Sequence, residues 1–291
     1  MKKQLKFWGT RGSCPVSGPE YQRFGGNTLC VEGRYGDAHF IIDAGTGIRP
    51  LGQALLSEGA SRIHLFISHT HLDHVIGLPF FAPLYTKGFK VIISAPETGG
   101  KTSAEIIKEL LSPELFPVRL DEVKADIEFR PIHPKHPIRL GDLTIDFHQT
   151  RHPGYALSFK IQTPHQKIGF ATDNEFLLGY MGKVDAIPEE ARKKEKSFIE
   201  FFKGADLMIH EGQYFPEEYR HHVHWGHSSV LNAAALMKEV SAPRWFSLHH
   251  DPKHTDSDLD RLASLAQRTL DLANIACKSE WVGDGHLLYL E

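Results

Sequence analysis

Six consecutive residues constrain this chain more than any other stretch. His69-Thr70-His71-Leu72-Asp73-His74 sets three imidazoles and a carboxylate side by side. The run follows Ile63-His64-Leu65-Phe66-Ile67, an apolar stretch of strand type, so the motif falls where a buried strand turns into a loop. This spacing can aim two imidazoles at one cation and a carboxylate plus an imidazole at a second. A histidine-rich surface turn is the ordinary alternative for a lone HxH. Here Val75-Ile76-Gly77-Leu78-Pro79 follows, and the motif lies between two apolar segments. Histidine is also in surplus, with 19 residues against 18 phenylalanines. The metal reading is preferred, and the question becomes which other residues join it.

The same arrangement recurs along the chain. Ala38–Ile42 runs into Asp43-Ala44-Gly45, Lys167–Ala171 into Thr172-Asp173, Asp206–Ile209 into His210-Glu211, and Trp245–Leu248 into His249-His250-Asp251. Near-continuous apolar runs bounded by turn residues read as strands buried on both faces. Between them lie segments of helical spacing: 48–56, interrupted by Pro50; 102–111; 228–240, with a serine N-cap; and 259–272, after a Thr/Asp/Ser cluster. Alternating strands and helices predict an α/β layered architecture, whose sheets bind ligands at their carboxyl edges. Residues 183–203 are charge-rich and read as a solvated helix or excursion. No repeat or linker divides the chain, so a single domain over 1–291 is expected.

Several classes are disfavoured. The formal net charge of −3 argues against a protein that holds DNA or long RNA by neutralising phosphates. No apolar run reaches the ~18 residues of a membrane helix. The basic start, Met1-Lys2-Lys3, lacks the apolar segment of a secretory signal. Three scattered cysteines, Cys14, Cys30 and Cys277, suit a reducing compartment, and a cytoplasmic location is expected.

On the HxHxDH motif and the stations that follow in order, the chain resembles the metallo-β-lactamase-fold hydrolases. The resemblance covers nearly the whole chain and implies a four-layer αβ/βα sandwich. It implies a first metal site of His69, His71 and His152, a second of Asp73, His74 and His249, and Asp173 shared between them. His250, next to His249, is the alternative last ligand. Asp43 is implied as a support. Iron-binding redox relatives often carry glutamate where His71 stands, so His71 favours two Zn²⁺ ions and hydrolysis, with Mn²⁺ the alternative.

Ile209-His210-Glu211-Gly212-Gln213 and Trp225-Gly226-His227-Ser228-Ser229 resemble paired motifs of the ribonuclease Z branch and its phosphodiesterase relatives. That likeness implies His227 as proton donor to the leaving oxygen and Glu211 as the carboxylate that orients it. Bacterial ribonuclease Z carries an arm for the tRNA body between the residues matching His152 and Asp173. In this chain two short strands and the turn Thr163–Gln166 nearly fill that interval, which weighs against large RNA as substrate. Gly9-Thr10-Arg11-Gly12-Ser13 and Arg23–Thr28 are similar to class II cyclic-nucleotide phosphodiesterases, and glycines around Arg11 and Asn27 could bring backbone to a phosphate. These two residues are candidate substrate contacts. The expected activity is metal-dependent hydrolysis of a small phosphodiester, a cyclic nucleotide or cyclic phosphate, by water activated between two metal ions. Asp73, Glu211 and His227 would be the catalytic side chains. The alternatives are hydrolysis of a lactone or thioester, and RNA cleavage. Relatives of this kind are often dimers, so a homodimer is compatible with the reading.

Overall fold

The computed structural model describes residues 2–291. Its first sheet is built from β1 (Lys3–Gly9), β2 (Cys30–Tyr35), β3 (Ala38–Ile42), β4 (Arg62–Phe66), β5 (Lys90–Ala95) and β6 (Asp126–Pro131), side by side in that order. β1, β2 and β3 are antiparallel, β1 and β2 joined by a long loop and β2 and β3 by a tight turn, and the longer crossovers make β3–β6 parallel. The second sheet repeats this plan in reverse. β7 (Ile138–Leu140), β8 (Leu143–Gln149), β9 (Leu157–Gln162) and β10 (Lys167–Ala171) form a meander, then β11 (Leu207–His210), β12 (Arg244–Ser247) and β13 (Lys278–Trp281) extend it in parallel. The last strand, β14 (Leu287–Tyr289), returns to pair with β1.

Three apolar clusters hold these layers. Phe40, Phe66, Phe147, Phe159, Phe170 and Phe246 pack between the sheets. Outside the first sheet, Leu51 and Leu55 of α1 (Ile48–Ser57) and Ile107 of α3 (Ser103–Leu110) cover Ile41, Leu65 and Ile93. The turn α2 (Leu72–Val75) lies inside the histidine motif itself. Outside the second sheet, α5 (Lys196–Phe202), α7 (Val230–Val240) and α8 (Asp256–Leu272) cover Met208 and Trp245, and the single turn α6 (Pro216–Tyr219) precedes α7. Helix, sheet, sheet and helix make the expected sandwich. A fully buried side chain such as Leu259 contributes about 1.5–3 kcal/mol through the area it removes from water.

Local chemistry sets the helix limits. Thr102 and Thr255 cap α3 and α8 with reciprocal bonds to Glu105 and Asp258. Pro50 stands in the first turn of α1, where its missing N–H has no intrahelical acceptor to lose. Ser229 caps α7, while the preceding Ser228 binds the loop after β10 instead. The charged segment departs from expectation. It folds as α4 (Glu189–Lys194) and α5, and Phe198, Ile199 and Phe202 of α5 are buried against the second sheet. Its charges mask an apolar face spaced three and four residues apart.

β9 and β10 are joined by a turn in which Thr163 Oγ1 accepts from the backbone N–H groups of His165 and Gln166. Among the described residues no helix is long and apolar enough to cross a membrane. The loops after β3, β4, β8, β10, β11 and β12 bring their polar residues to one edge of the sandwich, and the site lies there.

Candidate metal centre

The HxHxDH loop leaves β4 through Ile67 and Ser68 and closes in α2, whose N-cap is His71. Asp43, one residue past β3, receives the backbone N–H of Ser68 at 2.7 Å and its hydroxyl at 2.8 Å. The same carboxylate meets Nδ1 of His74 at 2.9 Å, which fixes that ring and leaves its Nε2 to face the cluster. Asp43, Asp173 and His249 have φ of 63°, 54° and 61°, left-handed values that side chains other than glycine rarely adopt. Strain of this kind is held only where surrounding contacts over-determine it. Each of the three follows a strand and turns its side chain into the cluster.

The second sheet supplies the remaining groups from separate loops. His152 follows β8, and its Nδ1 meets the Gly226 carbonyl at 3.0 Å. Its Nε2 lies 2.9 Å from Nδ1 of His71 and 3.8 Å from Asp173 Oδ1. His69 Nε2 is 3.9 Å from the same oxygen. Around the other oxygen of Asp173 and Asp73 Oδ2, His74 Nε2 stands at 3.3 Å from both. His249 Nε2 reaches Asp73 Oδ2 at 3.2 Å and Asp173 Oδ1 at 3.3 Å. The donor atoms of His69, His71 and His152 form one group, and those of Asp73, His74 and His249 another, each within 4.8 Å. All seven expected residues are thus brought together, Asp173 lying between the two groups.

The donor set fits divalent cations. Among the described residues His69 Nε2, His74 Nε2 and Asp173 Oδ2 are buried and lack a hydrogen-bond partner, although they approach one another. Buried imidazole nitrogens and a carboxylate oxygen left unpaired are costly, and a coordinated cation is the group that would satisfy all of them. The electrostatics agree. Asp173 stays well below the usual carboxylate range because His249 and His74 outweigh its burial. Likewise His74 is held well above its ordinary value, burial opposing and Asp173, Asp73 and Asp43 prevailing.

At the rim, His227 Nδ1 meets Glu211 Oε2 at 3.0 Å, and its ring lies 5.0 Å from that of His152 and 5.1 Å from that of His249. Glu211 also accepts from the Asn174 N–H and approaches His249 Nδ1 at 3.2 Å. Burial opposes its charge, yet His227 and His249 draw its pKa down to about 2.

The structure separates His249 from His250. His250 points its Nε2 at the Val282 carbonyl at 2.8 Å, away from the cluster, and burial pushes it down to about 3. The expected substrate contacts need correction. Arg11 is fully buried, and its guanidinium donates to the carbonyls of Gly25, Asp251 and His254. Asn27 donates to Asp284 and accepts from Thr46. Both tie loops together through these bonds. The glycine loop acts on the ligands instead. A Cβ on Gly12 would stand 2.4 Å from the His249 ring, and the Ser13 N–H donates to Asp73 Oδ2 at 2.7 Å.

Sequence reasoning missed Gln213, Asn174 and Glu175. Gln213 Oε1 meets His249 Nδ1 at 3.2 Å, and its amide approaches Asp251. It stands two residues beyond Glu211, the extended-chain spacing that puts side chains on one face. Glu175 receives the N–H groups of His224 and Gly226, each at 3.0 Å, and fastens the His227 loop beneath His152. Beside this loop a cavity of about 540 Å³ opens between Arg151, His152, Glu195, Phe198 and Gly226.

Comparison with known proteins bears on this site. The family model described as a beta-lactamase superfamily domain matches residues 39–250. Ribonuclease Z of Treponema pallidum is 24% identical over 277 residues, covering 79% of this chain and 83% of that protein. Among solved structures, the metallo-beta-lactamase fold protein YhfI from Bacillus subtilis aligns with a TM-score of 0.69 at 17% identity, over 99% of each chain. A diphosphatase from the PhnP family aligns with a TM-score of 0.64 at 16% identity, over 100% of this chain and 98% of that one.

Proposed function

The chain belongs to the beta-lactamase superfamily as a metal-dependent hydrolase, and on that premise we propose that it cleaves a small phosphodiester, a cyclic nucleotide or cyclic phosphate, at a dinuclear centre. His69, His71 and His152 would hold one ion and Asp73, His74 and His249 the other, with Asp173 placed between the two groups. The imidazole-rich, mixed-carboxylate donor set suits Zn²⁺, with Mn²⁺ the second choice. When bound, such ions activate a water as nucleophile and draw charge from the phosphoryl group.

The observation that carries the reading is the pair His227–Glu211. One ring nitrogen is held by a buried carboxylate at 3.0 Å, and the ring leans over His152 and Asp173. Glu211 fixes the tautomer and orientation of the ring, so the other nitrogen can deliver a proton to the leaving oxygen. An alkoxide is a poor leaving group, and such a proton transfer contributes on the order of 10²–10⁴-fold. Asp73, held by the Ser13 N–H, would orient the attacking water. The cavity beside His152 has room for the organic part of a small substrate.

RNA is the second reading, because the matching relatives include Ribonuclease Z. The short β9–β10 turn and the net charge of −3 favour the small substrate. Metal content by plasma emission, paired with turnover of cyclic nucleotides, a linear aryl phosphodiester, a thioester and a precursor tRNA, tests both. Preferred turnover of cyclic phosphodiesters is expected. Preference for the thioester or for the tRNA would overturn the proposal in favour of the corresponding alternative.

A further inference from the structure

At the other end of the sandwich a second cavity, of about 300 Å³, opens between the two sheets. It lies at the starts of the parallel strands whose far ends carry the metal cluster. His64, one of its walls, is five residues before His69, roughly 15–20 Å along an extended strand. Alternation puts Arg62, His64 and Phe66 on the face of β4 that looks toward the second sheet. Phe66 enters the core between the sheets, and the His64 ring stacks on it at 4.2 Å. The β7–β8 hairpin closes the opposite side, with Gly141 at its turn against Ala38 and Arg139 on its first strand.

The polar groups here are unevenly partnered. His64 is 4% exposed, its Nε2 meets Ser94 Oγ at 2.8 Å, and its Nδ1 is buried without a partner. Arg62 and Arg139 both line the cavity, and neither forms a side-chain hydrogen bond or ion pair among the described residues. The negative charges nearby are mostly engaged. Glu32 holds His39 at 2.8 Å and Arg34 at 2.6 Å, and Glu128 holds Arg130 at 2.6 Å and Lys90 at 3.0 Å. Asp37 is the one carboxylate in the walls among the described residues.

We propose that this cavity binds a small phosphate-bearing anion, with Arg62 and Arg139 gripping the phosphate at the mouth and the buried His64 ring forming the wall beneath them. A guanidinium fork matches phosphate oxygens in pairs and is only weakly hydrated, so two unpaired arginines facing one cavity suit this ligand better than a cation or an apolar group. Burial, with Arg130 and Arg62 adding to it, pushes His64 down to about 4, so the ring is neutral at pH 7. The volume, at the lower limit of small-molecule sites, accommodates inorganic phosphate or a compact phosphomonoester. The site shares no residue with the metal cluster.

Calorimetric titration of the metal-loaded protein with inorganic phosphate, and separately with glycerol 2-phosphate, tests it. The expected result is a binding event that persists in Asp73→Ala. Charge-assisted hydrogen bonds are worth ~1.5–3 kcal/mol each, so Arg62→Gln/Arg139→Gln should weaken the event roughly tenfold or more. Arg119→Gln, which removes an exposed charge elsewhere, should leave it unchanged. His64→Phe, which keeps the stack on Phe66, should weaken it less than the double variant does. Turnover by the double variant should equal wild type. Tighter binding of phosphate identifies the free anion, and tighter binding of glycerol phosphate identifies a phosphomonoester. Wild-type affinity in the double variant, loss of all binding in Asp73→Ala, or no binding of either probe to the wild type would overturn the proposal.

Discussion

Two halves of the metal centre are assembled differently. In the first sheet a single loop after β4 carries His69, His71, Asp73 and His74, with Asp43 bracing Ser68 and His74 and the Ser13 N–H holding Asp73. In the second sheet His152, Asp173, Glu211, His227 and His249 stand on loops that follow β8, β10, β11 and β12. Those loops are held to one another rather than to themselves. Ser228 joins the Asp173 loop to the His227 loop, and Glu175 fastens the backbone at residues 224 and 226. A compact cluster made by one turn is local chemistry, whereas the other half exists only when several strand ends are in register.

This contrast can be broken experimentally, beginning with the ligands. His69→Ala in the first half and Asp173→Ala in the second should each lose bound metal and turnover together, by more than the ~10²–10⁴-fold expected for loss of a proton donor. Retention of the full metal content by either variant would remove that residue from the centre. His227→Ala should keep its metal and lose on the order of 10²–10⁴-fold in kcat. Metal loss in that variant would make His227 a ligand or a structural residue instead.

The supports come next. Asp43→Asn and Gln213→Ala should each lower metal affinity or activity by ~10–100-fold, measured by competition with a chelator. The three contacts of Asp43 are 2.9 Å or shorter and those of Gln213 are 3.2 Å or longer, so the first-half change should be the larger. Equal or inverted effects would mean that the scattered half depends on its braces more than the compact one.

The smallest effect concerns a first-sheet histidine outside the centre. Burial holds His64 at about 4, below its ordinary 6.5. Between these values the unfolded chain takes up a proton that the folded one refuses, so stability falls as pH drops from 6.5 toward 4 and the loss levels off below. Urea unfolding at pH 7 and pH 5 should show a loss on the order of 1 kcal/mol per pH unit from this residue, reduced in His64→Phe. Equal acid sensitivity in the two proteins would place the titrating group elsewhere.

The two halves also differ in how much could be read before folding. His69 to His74 and the strand ahead of them are legible because ligand spacing and apolar patterning are both local. The helix starts at Thr102 and Thr255 follow from capping chemistry of the same range. His152, Asp173, Glu211, His227 and His249 stood out through resemblance to a family, since no periodicity links residues on different loops. Arg11 and Asn27 were misjudged for a physical reason. Glycine-flanked polar residues suit a phosphate loop and a buried brace equally, and burial is not written in sequence. The 183–203 segment misled in the same way, its charges hiding the buried face of α5.

The amino-acid order alone determined the alternation of strands and helices, the end of each strand in a polar cluster, and the density of imidazoles after β4. Tertiary structure alone decided that His249 rather than His250 faces the cluster, that Gln213 and Glu175 brace it, and that Arg62, His64 and Arg139 meet at the opposite end. Which side of a turn a side chain takes depends on backbone strain balanced by distant contacts, as the left-handed φ of His249 against Gly12 shows.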